Sequence, residues 1–269
     1  MELYGKTSYE LSKKLTTRYS TSFSMSSTLF SPSIRPHIYA IYGLVRIADE
    51  IVDSYREKDA DKQLEKLQRD THQARKSGFS SNPILHAFAT TARHFSIDET
   101  LIDPFFESMK TDLTATHFTQ EEYDQYIYGS AEVVGLMCLK IFTDADTYHQ
   151  LEDGAKALGS AYQKINFLRD IRADHDELGR VYFPSVSFEK FNNRAKSAII
   201  KDVRNDLAKA QPALRQLPPS ARKAVYASYL YYTALLDTIE KTPTSTLVSR
   251  RVRVPRARKL QLLLKARIS

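Results

Sequence analysis

Cysteine is almost missing from this chain, which has a single one, Cys138, among 269 residues. One cysteine excludes an intramolecular disulfide and any cysteine-rich metal site, and it is compatible with a reducing compartment. Glycine is also scarce, at 8 residues, and the 10 prolines mostly separate the periodic apolar segments instead of interrupting them. This distribution of helix-breaking residues favours a helical protein.

Long hydrophobic runs are lacking as well. The longest, residues 133–142, contains Lys140 and is well short of the roughly 18 apolar residues that a membrane-spanning helix needs. The first fifteen residues carry several charges and have no apolar core of the signal-peptide kind. We therefore expect a cytoplasmic protein, with peripheral attachment to the inner face of the membrane as a further option.

Charge is unbalanced towards the positive, with a formal net charge of +7 and a pI of about 9.3. Such a chain suits an anionic partner, whether nucleic acid, acidic lipid or a diphosphate substrate. Residues 250–259 hold six of the cations. This run fits a solvated face, or a segment in which Arg251 enters a site while the others meet anionic lipid. No recognisable nucleic-acid motif accompanies it, so we expect no nucleic-acid partner.

Apolar residues recur at steps of three and four along most of the chain, which is the pattern of helices with one buried face. Alternation typical of a strand is not found. We expect one all-α domain over residues 1–269, of about nine or ten helices, with the basic segment 250–269 as part of it. The predicted helices cover residues 38–55, 59–76, 83–94, 98–109 and beyond, 119–142, 144–176 as one or two, 188–214, 221–240 and 259–266.

Two pairs of aspartates stand out because each pair is spaced four residues apart on a predicted helix. Asp49 and Asp53 form the first pair, and Asp170 and Asp174 the second, with Asn166 one turn earlier. Residues at this spacing leave the same face of a helix, where like charges repel. A cation relieves the repulsion, and oxygen donors of this kind suit Mg²⁺.

An arginine accompanies each pair: Arg46 precedes Asp49 by three residues, and Arg169 directly precedes Asp170. The guanidinium group matches the oxygens of a diphosphate. One pair of aspartates alone is usually a solvated helix face. For two pairs, each with an arginine on an apolar helix, two interpretations stay open: a solvated helix face and a shared metal–diphosphate site.

These residues belong to a longer set of motifs in which the chain resembles the squalene and phytoene synthases. The most specific part is Asn-x-x-Arg-Asp-x-x-x-Asp at 166–174, followed by Gly-Arg-x-Tyr-x-Pro at 179–184. The resemblance extends over nearly the whole length and is carried by residues 19–24, 39–46, 49–53, 109–113, 126–137, 158–170 and 179–184.

The resemblance implies an all-α, single-domain isoprenoid-synthase bundle around a central apolar cavity, with the aspartate clusters facing each other across its mouth. It implies Mg²⁺, or alternatively Mn²⁺, at Asp49, Asp53, Asn166, Asp170 and Asp174. Catalytic positions would be Tyr126, Tyr232 and Arg169. The substrate-binding positions would be Ser20, Phe23, Tyr42, Arg46, Ala131, Val134, Gly135, Gly159, Gln163 and Arg251.

The activity implied by the resemblance is head-to-head condensation of two prenyl diphosphates. We expect two geranylgeranyl diphosphates to give phytoene through a cyclopropyl diphosphate, without NADPH, and we expect downstream carotenoid enzymes as further partners. A C15 enzyme that makes squalene or dehydrosqualene is the alternative. From another class, a non-catalytic helical protein that binds membrane or nucleic acid would also carry a basic tail.

Three departures from the family pattern concern the proposed site. Glu50 stands where many relatives have a second aspartate, and the segment between Asp174 and Gly179 is one residue longer than usual. Ser130 and Glu132 replace small apolar or glycine residues, and the direction of Glu132 stays open. For Tyr126 and Tyr232, packing is an alternative to contact with cationic intermediates.

Overall fold

The computed structural model describes residues 1–55, 57–184 and 186–268, and over these residues the chain is helical with no strand. The predicted all-α class is therefore confirmed. The helices are α1 (Glu2–Tyr19), α2 (Thr21–Ser27), α3 (Arg35–Asp49), α4 (Ala60–Ser77), α5 (Pro83–His94), α6 (Glu99–Thr114), α7 (Gln120–Ile127), α8 (Val133–Phe142), α9 (Ala145–Leu178), α10 (Asn193–Gln216), α11 (Pro219–Lys241), α12 (Thr244–Leu247) and α13 (Arg256–Ile268).

Helix starts agree with the polar residues that mark them in the sequence. The Asn82 side chain accepts a hydrogen bond from the Ile84 backbone N–H at 3.0 Å, and that of Asp98 accepts one from Thr100 at 3.1 Å. Thr119 begins α7 with a complete capping box, in which the carboxylate of Glu122 accepts from the Thr119 N–H at 2.8 Å. Each side-chain oxygen satisfies a backbone donor that the first helical turn leaves unpaired.

Two helices predicted as continuous change their winding. The predicted helix 38–55 is α-helical only to Asp49, and Glu50–Tyr55 is π-helical. The predicted helix 119–142 contains a second π-helical segment, Tyr128–Glu132, between α7 and α8. The apolar period does not distinguish these wider turns from α-helix, and such turns frequently occur at functional sites.

Other boundaries also differ from the sequence pattern. The helix expected from Phe188 begins at Asn193, because the Asn192 side chain caps it with hydrogen bonds from Arg194 and Ala195, and only a short 3-10 turn, Phe188–Lys190, precedes it. The segment 144–176 is one helix, α9. No helix was predicted for α1 and α2, and the expected linker 242–249 contains the single turn α12.

Helix α9 runs between the two halves of the core. One cluster of buried apolar side chains comes mainly from α3, α5, α6 and α8. The other comes mainly from α7, α9, α10 and α11. Leu158 of α9 and Tyr229 of α11 pack against both clusters. A long central helix thus supplies side chains to both halves and to whatever lies between them.

Polar side chains also tie helices together at the edge of the first cluster. Nδ1 of His37 on α3 lies 3.2 Å from the Tyr9 hydroxyl of α1 and 2.9 Å from the Thr91 hydroxyl of α5. At the other end of the chain, α13 packs against α11 and α2, burying Leu262 and Ala266. Across the described residues, no helix combines the length and the apolar character that crossing a membrane requires.

Candidate active site

A cavity of about 330 Å³ opens between α2, α3, α8, α9, α10 and α11. Along α9 its lining extends from Leu151 to Asn166, which at 1.5 Å per residue is about 22 Å. Ala155 and Leu158 lie between them. The cavity is therefore long and narrow, and its walls are mostly apolar. Six of the positions given above as substrate-binding line it: Phe23, Ala131, Val134, Gly135, Gly159 and Gln163.

Gly159 allows α9 to lie directly against the π-helical segment. A Cβ atom at this position would lie 2.6 Å from the carbonyl oxygen of Ala131, which is too close for any side chain. Both residues line the cavity. The glycine thus brings the two walls together about midway along the part of α9 that lines the cavity.

Aromatic rings close the other end, where α8 ends and α9 begins. Phe142, the last residue of α8, stacks on Phe30 with ring centroids 5.4 Å apart, and both line the cavity together with Leu139 and Leu151. These side chains limit how far a molecule can extend from the polar end.

The polar end contains an amide and aromatic hydroxyl groups. The Tyr232 hydroxyl lies 3.4 Å from Oδ1 of Asn166, and its ring stacks on Tyr162 with centroids 3.9 Å apart. A smaller pocket of about 170 Å³ adjoins this end and is lined by Ser20, Arg169 and, again, Phe23 and Tyr232. The fold thus brings together three of the predicted site residues at this end: Asn166, Tyr232 and Arg169.

The first aspartate pair lies where α3 passes into its π-helical segment. Arg46 is 3.6 Å from Asp49, forms an ion pair with Glu50, and lies over the Tyr19 ring at 4.3 Å. Burial raises the pKa of Asp49 to about 7, with Asp53 and other carboxylates adding to the rise and Arg46 opposing it. Glu50 therefore shares the arginine with Asp49.

The second aspartate pair lies near the end of α9. Asp170 faces two arginines: Nε of Arg169 at 3.0 Å and Nε of Arg251 at 2.7 Å from the same Oδ1 atom. Burial raises the pKa of Asp174 to about 8, and the charges of Asp170 and Asp53 raise it further. Asp53 belongs to the first pair, so the two pairs are close enough to repel each other.

Arg180 lies between the two pairs. Its Nη1 atom is 3.6 Å from Asp53 and 3.1 Å from Asp112, and its backbone N–H donates to the Asp174 carbonyl at 3.0 Å. Gly179 ends α9 in the left-handed region, with a φ of 65°, which suits glycine. This turn folds the chain back so that Arg180 meets residues of both pairs.

Asp112 and Arg180 were not among the predicted site residues. Both are buried, at 4% and 5% exposure, and the hydroxyl groups of Tyr126 and Tyr182 donate to Asp112 at 2.7 and 3.1 Å. Burial raises the pKa of Asp112 to about 6, opposed by Arg180. The motifs at 109–113 and 179–184 contained these residues, but nothing in the sequence pairs two positions so far apart.

Tyr126 is therefore placed differently from the other predicted catalytic residues. Its side chain is buried, its hydroxyl contacts Asp112, and it is not part of the cavity lining. Tyr42 stacks on Phe23 at 5.2 Å, and burial raises its pKa to about 12. Of the departures from the family pattern, Ser130 lines the cavity, whereas Glu132 does not.

The donor atoms of the two pairs and of Asn166 are carboxylate and amide oxygens, which fit a hard divalent cation such as Mg²⁺. Within the described ranges, no three His, Cys, Asp or Glu side chains form a ready-made metal cluster. Mg²⁺ is usually held by one or two carboxylates together with waters and substrate phosphates, so it does not require such a cluster. The raised pKa values of Asp49 and Asp174 also fit, because a cation favours the charged carboxylates.

The sequence is similar to the sequences of known proteins. The sequence profile described as squalene/phytoene synthase matches residues 16–258. A 4,4'-diapophytoene synthase of Staphylococcus haemolyticus is 30% identical over 206 aligned residues, covering 74% of this chain and 70% of that protein. A 15-cis-phytoene synthase of Synechocystis is 30% identical over 288, covering 95% and 83%.

Solved structures share the fold. A dehydrosqualene synthase in complex with a ligand superposes with a TM-score of 0.84 at 20% identity, covering 98% of this chain and 96% of that one. A squalene synthase of Alicyclobacillus acidocaldarius gives 0.77 at 20% identity, covering 93% and 97%. The fold is that of the isoprenoid synthases.

The chain belongs to the squalene/phytoene synthase family. It is accordingly an enzyme of the prenyltransferase type that condenses prenyl diphosphates head to head, and a divalent metal assists diphosphate binding in this family. The prediction of an enzyme is confirmed over that of a non-catalytic helical protein.

Proposed function

We propose that this protein condenses two geranylgeranyl diphosphates head to head to phytoene, with Mg²⁺ as the metal. The observation that carries the proposal is the apolar cavity that follows α9 for about 22 Å and ends at Asn166 and Tyr232, beside the two aspartate pairs. A long hydrocarbon chain fits the apolar part, while its diphosphate would lie at the polar end.

In this proposal, the metal would be held by Asp49, Asp53, Asn166, Asp170 and Asp174, and its positive charge would stabilise the leaving diphosphate. Arg46, Arg169 and Arg251 bind diphosphate oxygens through their guanidinium groups. Arg169 and Arg251 now pair with Asp170, so a diphosphate would compete with that carboxylate for them.

The carbon chemistry takes place in the cavity. The C1–O bond of the first substrate breaks, diphosphate leaves, and the double bond of the second attacks the allylic cation. Loss of a proton gives a cyclopropyl diphosphate. The second C–O bond then breaks, the skeleton rearranges, and loss of another proton yields the triene. Apolar walls exclude water, which would capture each cation, and the stacked rings of Tyr162 and Tyr232 offer electron-rich faces near the polar end.

A C15 enzyme that makes dehydrosqualene or squalene is the second candidate. It is favoured by the stacked pair of Phe30 and Phe142, which closes the cavity, and by a diapophytoene synthase among the relatives at 30% identity. Phytoene synthases reach similar identity over more of the chain. Incubation with each diphosphate, with and without NADPH, followed by mass spectrometry of the extracted hydrocarbon, separates the two. Exclusive C30 product contradicts the C20 proposal.

The metal-binding role is tested by Asp170→Ala. Loss of this carboxylate should lower Mg²⁺-dependent diphosphate release about a hundredfold or more. Asp153→Ala is a matched control, because Asp153 lies exposed on the same helix. Circular dichroism of both variants monitors the fold. Equal release by the two variants would remove Asp170 from the mechanism.

Cys138 gives a binding measurement that does not depend on turnover. It is the single cysteine of the chain, it lines the cavity, and burial raises its pKa to about 12. Alkylation should therefore be slow in the folded protein and slower still with geranylgeranyl thiodiphosphate bound. Inorganic diphosphate, which lacks the hydrocarbon chain, should not protect. Equal alkylation with and without the prenyl ligand would show that its hydrocarbon chain does not occupy this cavity.

A further inference from the structure

Helix α13 carries a row of large apolar side chains that the fold leaves exposed. Leu260 is 52% exposed, Leu264 54% and Ile268 87%. Residues spaced by four lie on one face of a helix, so the three side chains form a continuous stripe. Isolated exposed leucines are ordinary on a protein surface, but an aligned row marks a binding surface.

The opposite face fixes this helix to the protein. Leu262 and Ala266 are buried against α11 and α2, and the Lys223 ammonium group donates to the Arg267 carbonyl at 2.7 Å. Lys259 lies over the Tyr231 ring at 5.3 Å. The stripe of Leu260, Leu264 and Ile268 thus points outward from a helix whose position is set by packing.

Cations border the stripe on both sides. At about 100° per residue, Arg267 and Arg256 lie about 20° and 40° beyond Leu260 around the helix axis. On the other side, Arg258 lies about 80° beyond Ile268, and all three arginines are exposed. Residues 250–268 contain eight arginines and lysines and no aspartate or glutamate. An apolar stripe with cationic borders matches the surface of an anionic bilayer, where acyl chains lie beneath negatively charged headgroups.

The same helix reaches the polar end of the cavity. Lys259, Leu262 and Leu263 line the smaller pocket together with Arg169 and Tyr232. Anything bound to the outer stripe therefore lies one helix diameter, about 10 Å, from the smaller pocket.

We propose that α13 docks this enzyme on an anionic lipid bilayer through Leu260, Leu264 and Ile268, with Arg256, Arg258 and Arg267 against the headgroups. Docking would allow prenyl chains to pass between the bilayer and the cavity, and this consequence rests on the proposed function. The docking itself depends only on the surface of α13.

Binding to sedimented vesicles tests the docking. The chain should bind vesicles of phosphatidylglycerol and phosphatidylcholine in equal parts, bind pure phosphatidylcholine weakly, and dissociate as salt rises. Leu260→Gln with Leu264→Gln should weaken partitioning about tenfold or more. Arg256→Gln with Arg258→Gln should weaken it about fivefold per arginine in the anionic vesicles alone.

Leu3→Gln with Leu11→Gln is the matched control. These leucines are 78% and 39% exposed on α1, which packs against α3 and α5. The control should bind vesicles like the parent chain. All variants should turn over detergent-dispersed substrate at the parental rate, because none of these residues lines the cavity or the smaller pocket.

Several results would overturn the docking proposal. These are parental vesicle binding by the α13 leucine variant, loss of binding in the α1 variant instead, or failure of the parent chain to bind anionic vesicles at low salt. So would a concentration-dependent dimer that disappears with Leu260 and Leu264, because the stripe would then be a protein interface. Vesicle binding without prenyl turnover would contradict the proposed function and leave the docking standing.

Discussion

Asp112 shows how a buried charge can organise a site without lining its cavity. Its carboxylate accepts from Tyr126 and Tyr182 and forms an ion pair with Arg180, whose guanidinium group also lies 3.6 Å from Asp53. A buried carboxylate is costly unless such partners neutralise and hydrogen-bond it. The four side chains therefore act as a unit that positions Arg180 between the aspartate pairs.

Tyr126→Phe tests whether this tyrosine positions the site or takes part in the chemistry. The variant loses one hydrogen bond to a buried charged group and keeps the ring packing, so the free energy of unfolding should fall by about 1.5 to 3 kcal/mol. Activity should fall less than tenfold. Urea titration and steady-state turnover measure the two effects. A hundredfold loss of activity with unchanged stability would instead assign the hydroxyl a catalytic role.

At the residue level, the sequence predicts positions that share a helix and misses pairs that do not. The spacing from Asn166 through Asp170 to Asp174 is read directly from helical geometry. The contact between Asp112 and Arg180 is not, because it depends on where α6 and the turn after α9 meet. The two arginines on Asp170 divide in the same way: Arg169 is adjacent in sequence, whereas Arg251 arrives from a separate segment.

Among the elements, α9 depends on close approach to the π-helical segment 128–132. Gly159→Ala would place Cβ 2.6 Å from the Ala131 carbonyl oxygen, and the resulting displacement should cost about 1 to 3 kcal/mol of stability. Gly5→Ala in α1 is the control, because a Cβ atom at this position would have no neighbouring atom closer than 4.0 Å. Alanine should stabilise that helix by about 0.5 to 1 kcal/mol. Thermal unfolding of both variants is the measurement, and a stabilised Gly159→Ala would contradict the packing.

The junction of α1, α3 and α5 should respond to acid through His37. Burial lowers the pKa of its imidazole from 6.5 to about 4, with a smaller contribution from His94. The unfolded chain therefore takes up the proton first, so stability present above pH 6.5 is lost as the pH falls towards 4. If the His37 ring were fully shielded from water, the loss in unfolding free energy would be about 3 kcal/mol. Because the ring is partly exposed, we expect a loss of about 1 to 2 kcal/mol.

Urea titrations at a series of pH values measure this loss. In His37→Gln the titrating ring is absent while a polar side chain remains, so the difference in unfolding free energy between the parent and the variant should shrink over that interval. A difference that stays constant with pH would show that the ring titrates normally in the folded protein.

At this level the sequence predicts most helices and few of their irregularities. Polar caps at Asn82, Asp98 and Thr119 are local signals, and the structure has those helix starts. The change of winding after Asp49 is not local, because the same apolar spacing serves α- and π-helix. Helix α1 was missed because its buried face is partly made of Ser8, Ser12 and Thr16, which carry no hydrophobic period.

For the whole molecule, the length of the cavity links the fold to the size of the product. Cys138 lines the cavity between Ala131 and the ring of Phe142. Cys138→Phe should block its far part, so the preference for geranylgeranyl over farnesyl diphosphate should fall about tenfold or more. Cys138→Ser keeps the volume and is the control. The measurement is competition between the two diphosphates, with the products identified by hydrocarbon mass. An unchanged preference would show that the prenyl chain of the substrate does not pass Cys138.

The π-helical segment at Tyr128–Glu132 sets the azimuth of α8 about its own axis. Removing one residue there, so that the chain continued as regular α-helix, would turn every later side chain of α8 by about 100°. Val134, Gly135 and Cys138 would then face away from the cavity they now border. A single-residue deletion would thus reorient an entire wall, a change that no substitution within that wall could reproduce.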